Sequence, residues 1–356
     1  MQRDIEAREL VDIESALSNL LGIKLKDLKQ VYGGRNSKVY HLVCENSEDY
    51  IAKVYFHHGL DKRDRLGIEF SSLQFLWNNG VRCIPKPVAM DADKKIGIYE
   101  YIHGREILPE EVTHSDIDYL TNFLTVLKEL RIGSRSDGIP AASAACFSIS
   151  SICKIVEDRL NRLLNMQRTD EGYKKLHDFL NGEFIPLFNN AVERSKIDLK
   201  NNDWSFDSEI SKEERTLSPS DFGFHNAIRK DNGEIIFIDF EYFGWDDPAK
   251  MISDFLLHPG MNLNDELKKR FLANILITFK EQKYLINRLK IAYPLIGLVW
   301  CLLLLNEFIP EHINRREFAG KDISTKEELL AEQLLKAEKL LRKINKDYES
   351  PLQFLL

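Results

Sequence analysis

No C-x-x-C pair occurs in this chain of 356 residues, and its five cysteines, Cys44, Cys83, Cys146, Cys153 and Cys301, are odd in number and widely scattered. That argues against a zinc knuckle and a disulfide framework, and it predicts free thiols in a reducing, cytoplasmic setting. Surplus positive charge is missing too: the formal net charge is -7, which disfavours a nucleic-acid partner tracked through its phosphates. The longest apolar run, Ile291 to Leu305, falls short of the roughly 20 residues a bilayer span needs and contains Pro294, so it predicts a buried helix and no membrane span. The opening MQRDIEARELVDIE mixes charges through its first turns and has none of the apolar core of a signal peptide. Repeats and low-complexity tracts are absent.

What remains is the composition of a globular protein, 44% apolar and 29% charged, with length enough for two lobes. Apolar residues Ile5, Leu10, Ile13, Leu17 and Leu20 share one helical face at the start. The period then changes to that of strands at Leu25 to Tyr32, Lys38 to Val43 and Tyr50 to Phe56, separated by Gly33-Gly34 and by the polar cluster at 45–48. An antiparallel meander is expected there. Helical spacing returns over 61–79 and stops at Gly80, and two more strands follow around Lys86 to Met90 and Lys95 to Tyr101. Beyond Gly104 the pattern predicts helices at 110–131, 148–166 and 171–193, an acidic loop over 201–215, one strand at Glu234 to Ile238, and helices to the end. The last of these opens on the capping box Ser324 to Glu327. The expected fold is α+β and bilobal: an N-terminal helix at 1–22, a small sheet-rich lobe with one helix at 23–102, and a large, mainly helical lobe at 103–356.

The tripeptide Asp221-Phe222-Gly223 has the letters of the magnesium-binding element of protein kinases. If it were that element, a catalytic aspartate with an asparagine five residues later should lie upstream. None qualifies: five residues after Asp170, Asp178, Asp198, Asp203 and Asp207 stand Lys175, Glu183, Asp203, Ser208 and Lys212. Asp221 itself is followed at that spacing by Asn226, and the strand EIIFI then delivers Asp239-Phe240-Glu241 into a loop. The roles therefore shift by one motif. Asp221 becomes the candidate base, Asn226 and Asp239 become the candidate Mg²⁺ ligands, and KDNG at 230–233 is the tight turn between them. The Asp-Phe-Gly letters are then a coincidence, although one Asp, one Asn and another Asp in loops are also ordinary turn residues.

Phosphoryl transfer from ATP needs further parts, and they occur upstream in order. Gly33, Gly34 and Ser37 lie where a turn could bring backbone N–H groups to phosphate oxygens. Lys53 sits within YIAKVYF, and Glu69 follows sixteen residues later on a helix, placed to pair with it. Each has a plain reading as a hairpin turn, a solvated lysine or a surface charge; their order is what makes them informative.

Together GGRNSKVY, IAKVYF, IEFSSLQFL, IYEYIHG, SDFGFHN and IDFEYFGWDDP resemble the aminoglycoside phosphotransferase and choline kinase-like superfamily, with its protein-kinase-like fold, over about residues 30 to 260. The resemblance implies a small-molecule kinase using ATP or another NTP, with backbone groups of Glu100, Tyr101 and Ile102 binding adenine, and it matches Asp221, Asn226 and Asp239 to the family's base and metal ligands. Asp247-Pro248 matches a structural Asp-Pro. Two departures stand out: Pro219-Ser220 replace the family's His-Gly, removing a histidine that braces the loop, and Met251 replaces its aspartate three residues beyond the Asp-Pro. Glu241-Tyr242 is closer to choline and ethanolamine kinases than to antibiotic kinases.

For the acceptor, the acidic stretch from Asp203 to Glu214 could draw a cationic hydroxyl compound, and Tyr242, Phe243 and Trp245 could face a quaternary ammonium; a solvated loop and core packing account for the same residues. His57, His58, His103, His225 and His258 lack metal-ligand spacing in sequence, and His225 reads as loop structure. Against the enzyme stands a nucleotide-binding pseudokinase acting as scaffold or regulator, consistent with Pro219-Ser220. A protein kinase is disfavoured by the lack of an activation segment ending in Ala-Pro-Glu.

Overall fold

The computed structural model describes residues 2–31, 36–56, 63–132, 136, 138–166, 168, 170–312, 326–347 and 352, with side chains from residue 12 onward. The expected glycine turn at Gly33-Gly34, along with His57, His58 and the capping residues Ser324 and Thr325, lies outside the described residues. Two compact units emerge. The first takes the chain up to Glu106 together with Ala227–Tyr242, and the second takes Ile107–Asn226, Phe243–Ile313 and the C-terminal helix.

In the first unit, helix α1 (Gln2–Leu21) precedes five antiparallel strands: β1 (Leu25–Val31), β2 (Ser37–Cys44), β3 (Asp49–Tyr55), β4 (Pro87–Asp91) and β5 (Ile96–Glu100). Their order is β1-β2-β3-β5-β4, the expected meander with its last two strands exchanged in position. Alternation puts Tyr40, Leu42, Ala52, Ile96 and Ile98 on one face. Leu17 of α1 is buried among them, with Ile13 and Leu20 packed against the cluster. Helix α2 (Arg65–Asn78) starts where Asp64 accepts the Gly67 N–H and ends before Gly80, whose φ of 87° suits a residue without a side chain. A smaller sheet joins β6 (Arg105–Glu106), β8 (Ala227–Arg229) and β9 (Ile235–Phe237). Its hairpin turns at KDNG as the sequence predicts, with Gly233 at φ 90° and its N–H on the Lys230 carbonyl.

The second unit is mainly helical: α3 (His114–Leu130), α4 (Ile149–Leu164), α5 (Glu171–Phe179), α6 (Ile185–Asn201), α7 (Pro248–Leu257), α8 (Asp265–Thr278), α9 (Leu285–Leu304) and α10 (Lys326–Asp347). The helix expected over 171–193 runs on to Asn201, with α5 passing into α6 through a π-helical turn at Leu180–Phe184 whose flanking residues keep helical dihedrals. Pro186 sits just after that turn, where the wider winding accommodates a residue that lacks an N–H. Strand β7 (Thr216–Ser218), unanticipated because it has only three residues, pairs antiparallel with β10 (Gly244–Asp246).

Helix α9 extends the apolar run beyond the length read from the sequence. With the turn that follows it, the stretch Leu285–Phe308 is long and apolar enough to cross a membrane, but 67% of its most apolar 18 residues are buried. It packs against α4, α6, α7 and α10, which is the environment of a core helix. Gly297 allows the approach of α10, because a Cβ there would lie 2.6 Å from Ile344 Cδ1.

Candidate functional site

In the first unit, β3 alternation turns Lys53 away from the Ala52 core face, and one helical turn into α2 places Glu69 to meet it. Lys53 Nζ lies 2.7 Å from Glu69 Oε1 and 3.0 Å from Asp239 Oδ1. Glu69 is held from two further directions: Tyr55 Oη donates to Oε2 at 2.5 Å and the Phe240 N–H approaches Oε1 at 3.4 Å, while Tyr55 itself shares a hydrogen bond of 2.8 Å with Tyr99. Burial raises the Glu69 carboxyl, with the Asp239 charge adding to the rise, while Lys53 opposes it. Burial also works against the Lys53 ammonium, but Asp239 and Glu69 overcome it and hold its pKa well above the ordinary value.

Asp239 follows β9 with φ at 69°, a left-handed conformation unusual for a residue with a side chain. Oxygens of Glu69, Asp239 and Glu241 lie within 4.8 Å of one another; Lys53 meets the first two, and the buried Arg65 places Nε 3.6 Å from Glu241 Oε1. Glu241 accepts from Asn36 Nδ2 at 2.6 Å, and Tyr242 Oη accepts from the same amide at 2.8 Å. The base of the glycine segment is thereby tied to the residues after Asp239. Burial and the Asp239 and Glu69 charges push Glu241 up to about 7.

Ser37, the first residue of β2, is buried opposite Tyr55. Glu100 ends β5, with its N–H donated to the Lys86 carbonyl at 2.9 Å and its carboxylate accepting the Lys86 N–H at 3.1 Å. Tyr101 stacks on His41 at 4.0 Å, and Ile102 is buried. Since the Glu100 N–H is already engaged, its carbonyl and the backbone of Tyr101 and Ile102 are the candidates for adenine.

In the second unit, β7 leads into Pro219-Ser220, with Ser220 at φ 69° and its N–H on Ser218 Oγ. This delivers Asp221, whose Oδ1 meets His225 Nε2 and His258 Nε2, each at 3.1 Å. Burial alone would raise the Asp221 carboxyl, but the hydrogen bonds from the two histidines prevail and hold it well below the usual carboxylate range. Asn226 donates its amide Nδ2 to the Asp221 carbonyl at 2.9 Å, which assigns Nδ2 inward and frees the amide oxygen, the atom a hard cation would take.

From the sequence His258 has no role beyond lacking metal-ligand spacing, and His225 reads as loop structure with a lesser option of substrate contact. The two lie 33 positions apart, in the loop after β7 and at the end of α7, so spacing carries no signal. A local clue to crowding did exist in Gly223 and Gly260. A Cβ on Gly223 would strike Met261 Sδ and lie 3.0 Å from His225 Nδ1, and one on Gly260 would lie 3.0 Å from His258 Cε1. Gly223 is thus explained by packing.

Asp247 caps α7 through the Ala249 N–H and takes Arg288 Nε at 2.5 Å, in keeping with a structural role. Phe243 is fully buried, while Tyr242 carries the Arg63 guanidinium 5.9 Å from its ring centre, so these aromatics are engaged within the protein. All five cysteines are free.

No curated protein matches this chain in sequence. Solved structures share its fold. A spectinomycin phosphotransferase in complex with ADP and spectinomycin superposes with a TM-score of 0.61 at 14% identity, covering 94% of this chain and 98% of its own. A choline kinase from Streptococcus pneumoniae gives 0.60 at 16% identity, covering 94% and 99%. A Plasmodium vivax ethanolamine kinase gives 0.56 at 14% identity, covering 89% and 83%. The buried lysine–glutamate pair, the aspartate behind β9 and the D-x₄-N loop all fall within residues 27–278, the stretch matched by the model of the phosphotransferase enzyme family, and the chain belongs to that family.

Proposed function

We propose that this protein is an ATP- and Mg²⁺-dependent kinase that phosphorylates a hydroxyl group of a small molecule such as an amino alcohol, a sugar or an aminoglycoside-like compound. The observation that carries this reading is Lys53 held between Glu69 and Asp239, with both carboxylates within 3.0 Å of the ammonium. A lysine so fixed is suited to the phosphates of a nucleotide, and Asp239 and Asn226 offer the oxygens that Mg²⁺ prefers. The bound ion would neutralise phosphate charge as transfer proceeds. Asp221, kept ionised, accepts the proton of the acceptor hydroxyl. The acceptor oxygen bonds to the γ-phosphorus as the bond from phosphorus to the ADP oxygen breaks.

An acceptor screen with ATP consumption as readout tests the proposal, using choline, ethanolamine, spectinomycin and simple sugars. Turnover that requires both an acceptor and Mg²⁺ is expected, and Asp221→Ala should abolish it while leaving nucleotide binding intact. Asp239→Ala should weaken Mg²⁺-dependent nucleotide binding as well. ATP binding without turnover across the whole panel would favour the scaffold reading, for which the Pro219-Ser220 replacement is the specific observation. Normal turnover by Asp221→Ala would show that the base lies elsewhere.

A further inference from the structure

His225 and His258 form one unit around Asp221. Their rings stack with centroids 3.8 Å apart and planes 8° from parallel, and both Nε2 atoms reach the same carboxylate oxygen. The tautomer of His258 is set by its other nitrogen: Nδ1 accepts the Gly260 N–H at 3.1 Å, so the proton sits on Nε2 and is donated to Asp221. Behind it, Trp300 meets the His258 ring edge to face at 4.6 Å and donates Nε1 to Asp254 Oδ1 at 3.0 Å. Asp254 in turn takes Lys250 at 2.7 Å, and Lys250 also binds Asp246 at 3.1 Å. The ring that holds Asp221 is therefore itself fixed by a chain of partners, half-buried at Trp300 and Asp254 and buried at Lys250 and Asp246.

Two histidines and a carboxylate have the makeup of a transition-metal site. The stacking argues against one. A metal ion lies close to the plane of each imidazole that ligates it, at roughly 2.0–2.1 Å; planes that run nearly parallel with ring centres 3.8 Å apart provide no such shared point. Hydrogen bonds to an oxygen at 3.1 Å tolerate the offset.

We infer that His225 and His258 are positioning residues for phosphoryl transfer: together they hold Asp221 by Oδ1 and leave Oδ2 to receive the acceptor proton, a bracing function that Pro219-Ser220 does not supply. The inference rests on Asp221 being the base. It explains why a chain without a histidine before the catalytic aspartate retains the rest of the machinery, and why glycines stand at 223 and 260, where side chains would press on the pair.

Phenylalanine and glutamine separate donation from packing. His225→Phe and His258→Phe keep a flat ring for stacking but no N–H; His225→Gln and His258→Gln return an amide N–H near the place of Nε2. The measured rate is Mg²⁺-dependent ATP turnover with the best acceptor among choline, ethanolamine and spectinomycin, or with water if none is used. The Phe variants should lose kcat by roughly 10- to 100-fold, with KM for ATP and Tm unchanged, and the Gln variants should recover most of it. Imidazole nitrogen NMR should show His258 as the neutral Nε2–H form, with that signal moving in Asp221→Ala. Unchanged kcat in the Phe variants, alongside an inactive Asp221→Ala, would overturn this inference alone. A loss of Tm that glutamine does not repair, or stoichiometric Zn²⁺ bound through both rings, would overturn it as well. An active Asp221→Ala would instead remove the reading beneath it.

Discussion

Replacing Lys53 with methionine removes a cation and little volume. Lys53 keeps 14% of its side-chain exposure and Glu69 only 2%, so their contact of 2.7 Å is nearly dry. After the change, the carboxylates of Glu69, Asp239 and Glu241 remain within 4.8 Å of one another with no Lys53 ammonium among them. Leaving a buried charge without its partner costs about 3–5 kcal/mol. The loss is capped, because Glu69 can take up a proton instead. Its carboxyl is already raised by burial and by Asp239, with Lys53 as the opposing influence, so losing Lys53 raises it further.

A carboxyl whose folded pKa lies above its unfolded value of about 4.3 stabilises the fold least when ionised, so stability falls as pH rises from there through the folded pKa. Lys53→Met should therefore unfold close to wild type at about pH 5 and fall behind toward about pH 8, by up to about 1.4 kcal/mol per pH unit for each group that titrates. In thermal unfolding followed by circular dichroism, a loss on the order of 10 °C is expected at the alkaline end. Adding Glu69→Gln should restore most of it. A loss of equal size at every pH, with no rescue by Glu69→Gln, would mean that Lys53 stabilises through its aliphatic stem, and the charge argument would fail.

Glu241, pushed up to about 7 chiefly by burial, should behave likewise in the wild type. Glu241→Gln keeps an acceptor for Asn36 and is expected to match wild-type Tm at about pH 5 and exceed it at about pH 8, since the penalty it removes grows over that window. Arg288→Leu strands Asp247, which is 1% exposed, and should cost about 3–5 kcal/mol in denaturant unfolding; adding Asp247→Asn, which keeps the helix cap, should recover much of it. Gly244→Ala would set a Cβ 2.5 Å from both Ala142 N and Pro140 O. Neither backbone atom can swing aside, so a loss of about 3 kcal/mol or more is expected, seen as a lowered Tm.

The meander, α2 and the Lys53–Glu69 pair were legible because their signals are local: alternation, helical spacing ended by a glycine, and a fixed number of residues from a strand lysine to a helix glutamate. The KDNG hairpin was legible for the same reason. What escaped was short or distant. Strands β7 and β10 have three residues each, too few for a period to show, and exist because they pair with each other. The π-helical turn before Pro186 changes the winding of one long helix without ending it. His258 could not be joined to Asp221 from spacing, since only the fold of α7 and its following loop brings them together.

The two Asp-Phe tripeptides show why letters needed geometry. In Asp239-Phe240-Glu241, the Phe240 N–H touches the same Glu69 oxygen that holds Lys53, so backbone and side chain report on one cluster. In Asp221-Phe222-Gly223, the phenylalanine packs 5.5 Å from Phe123 and the glycine makes room for Met261 and His225. The first tripeptide has an aspartate in contact with a lysine and the second has one in contact with two histidines. A carboxylate that must share a cation with nucleotide phosphates belongs beside the lysine; a carboxylate that must stay ionised and aimed, yet free of metal, belongs between hydrogen-bond donors. The proposed assignment of metal ligand and base therefore rests on what each carboxylate touches, and it would reverse if those neighbours were exchanged.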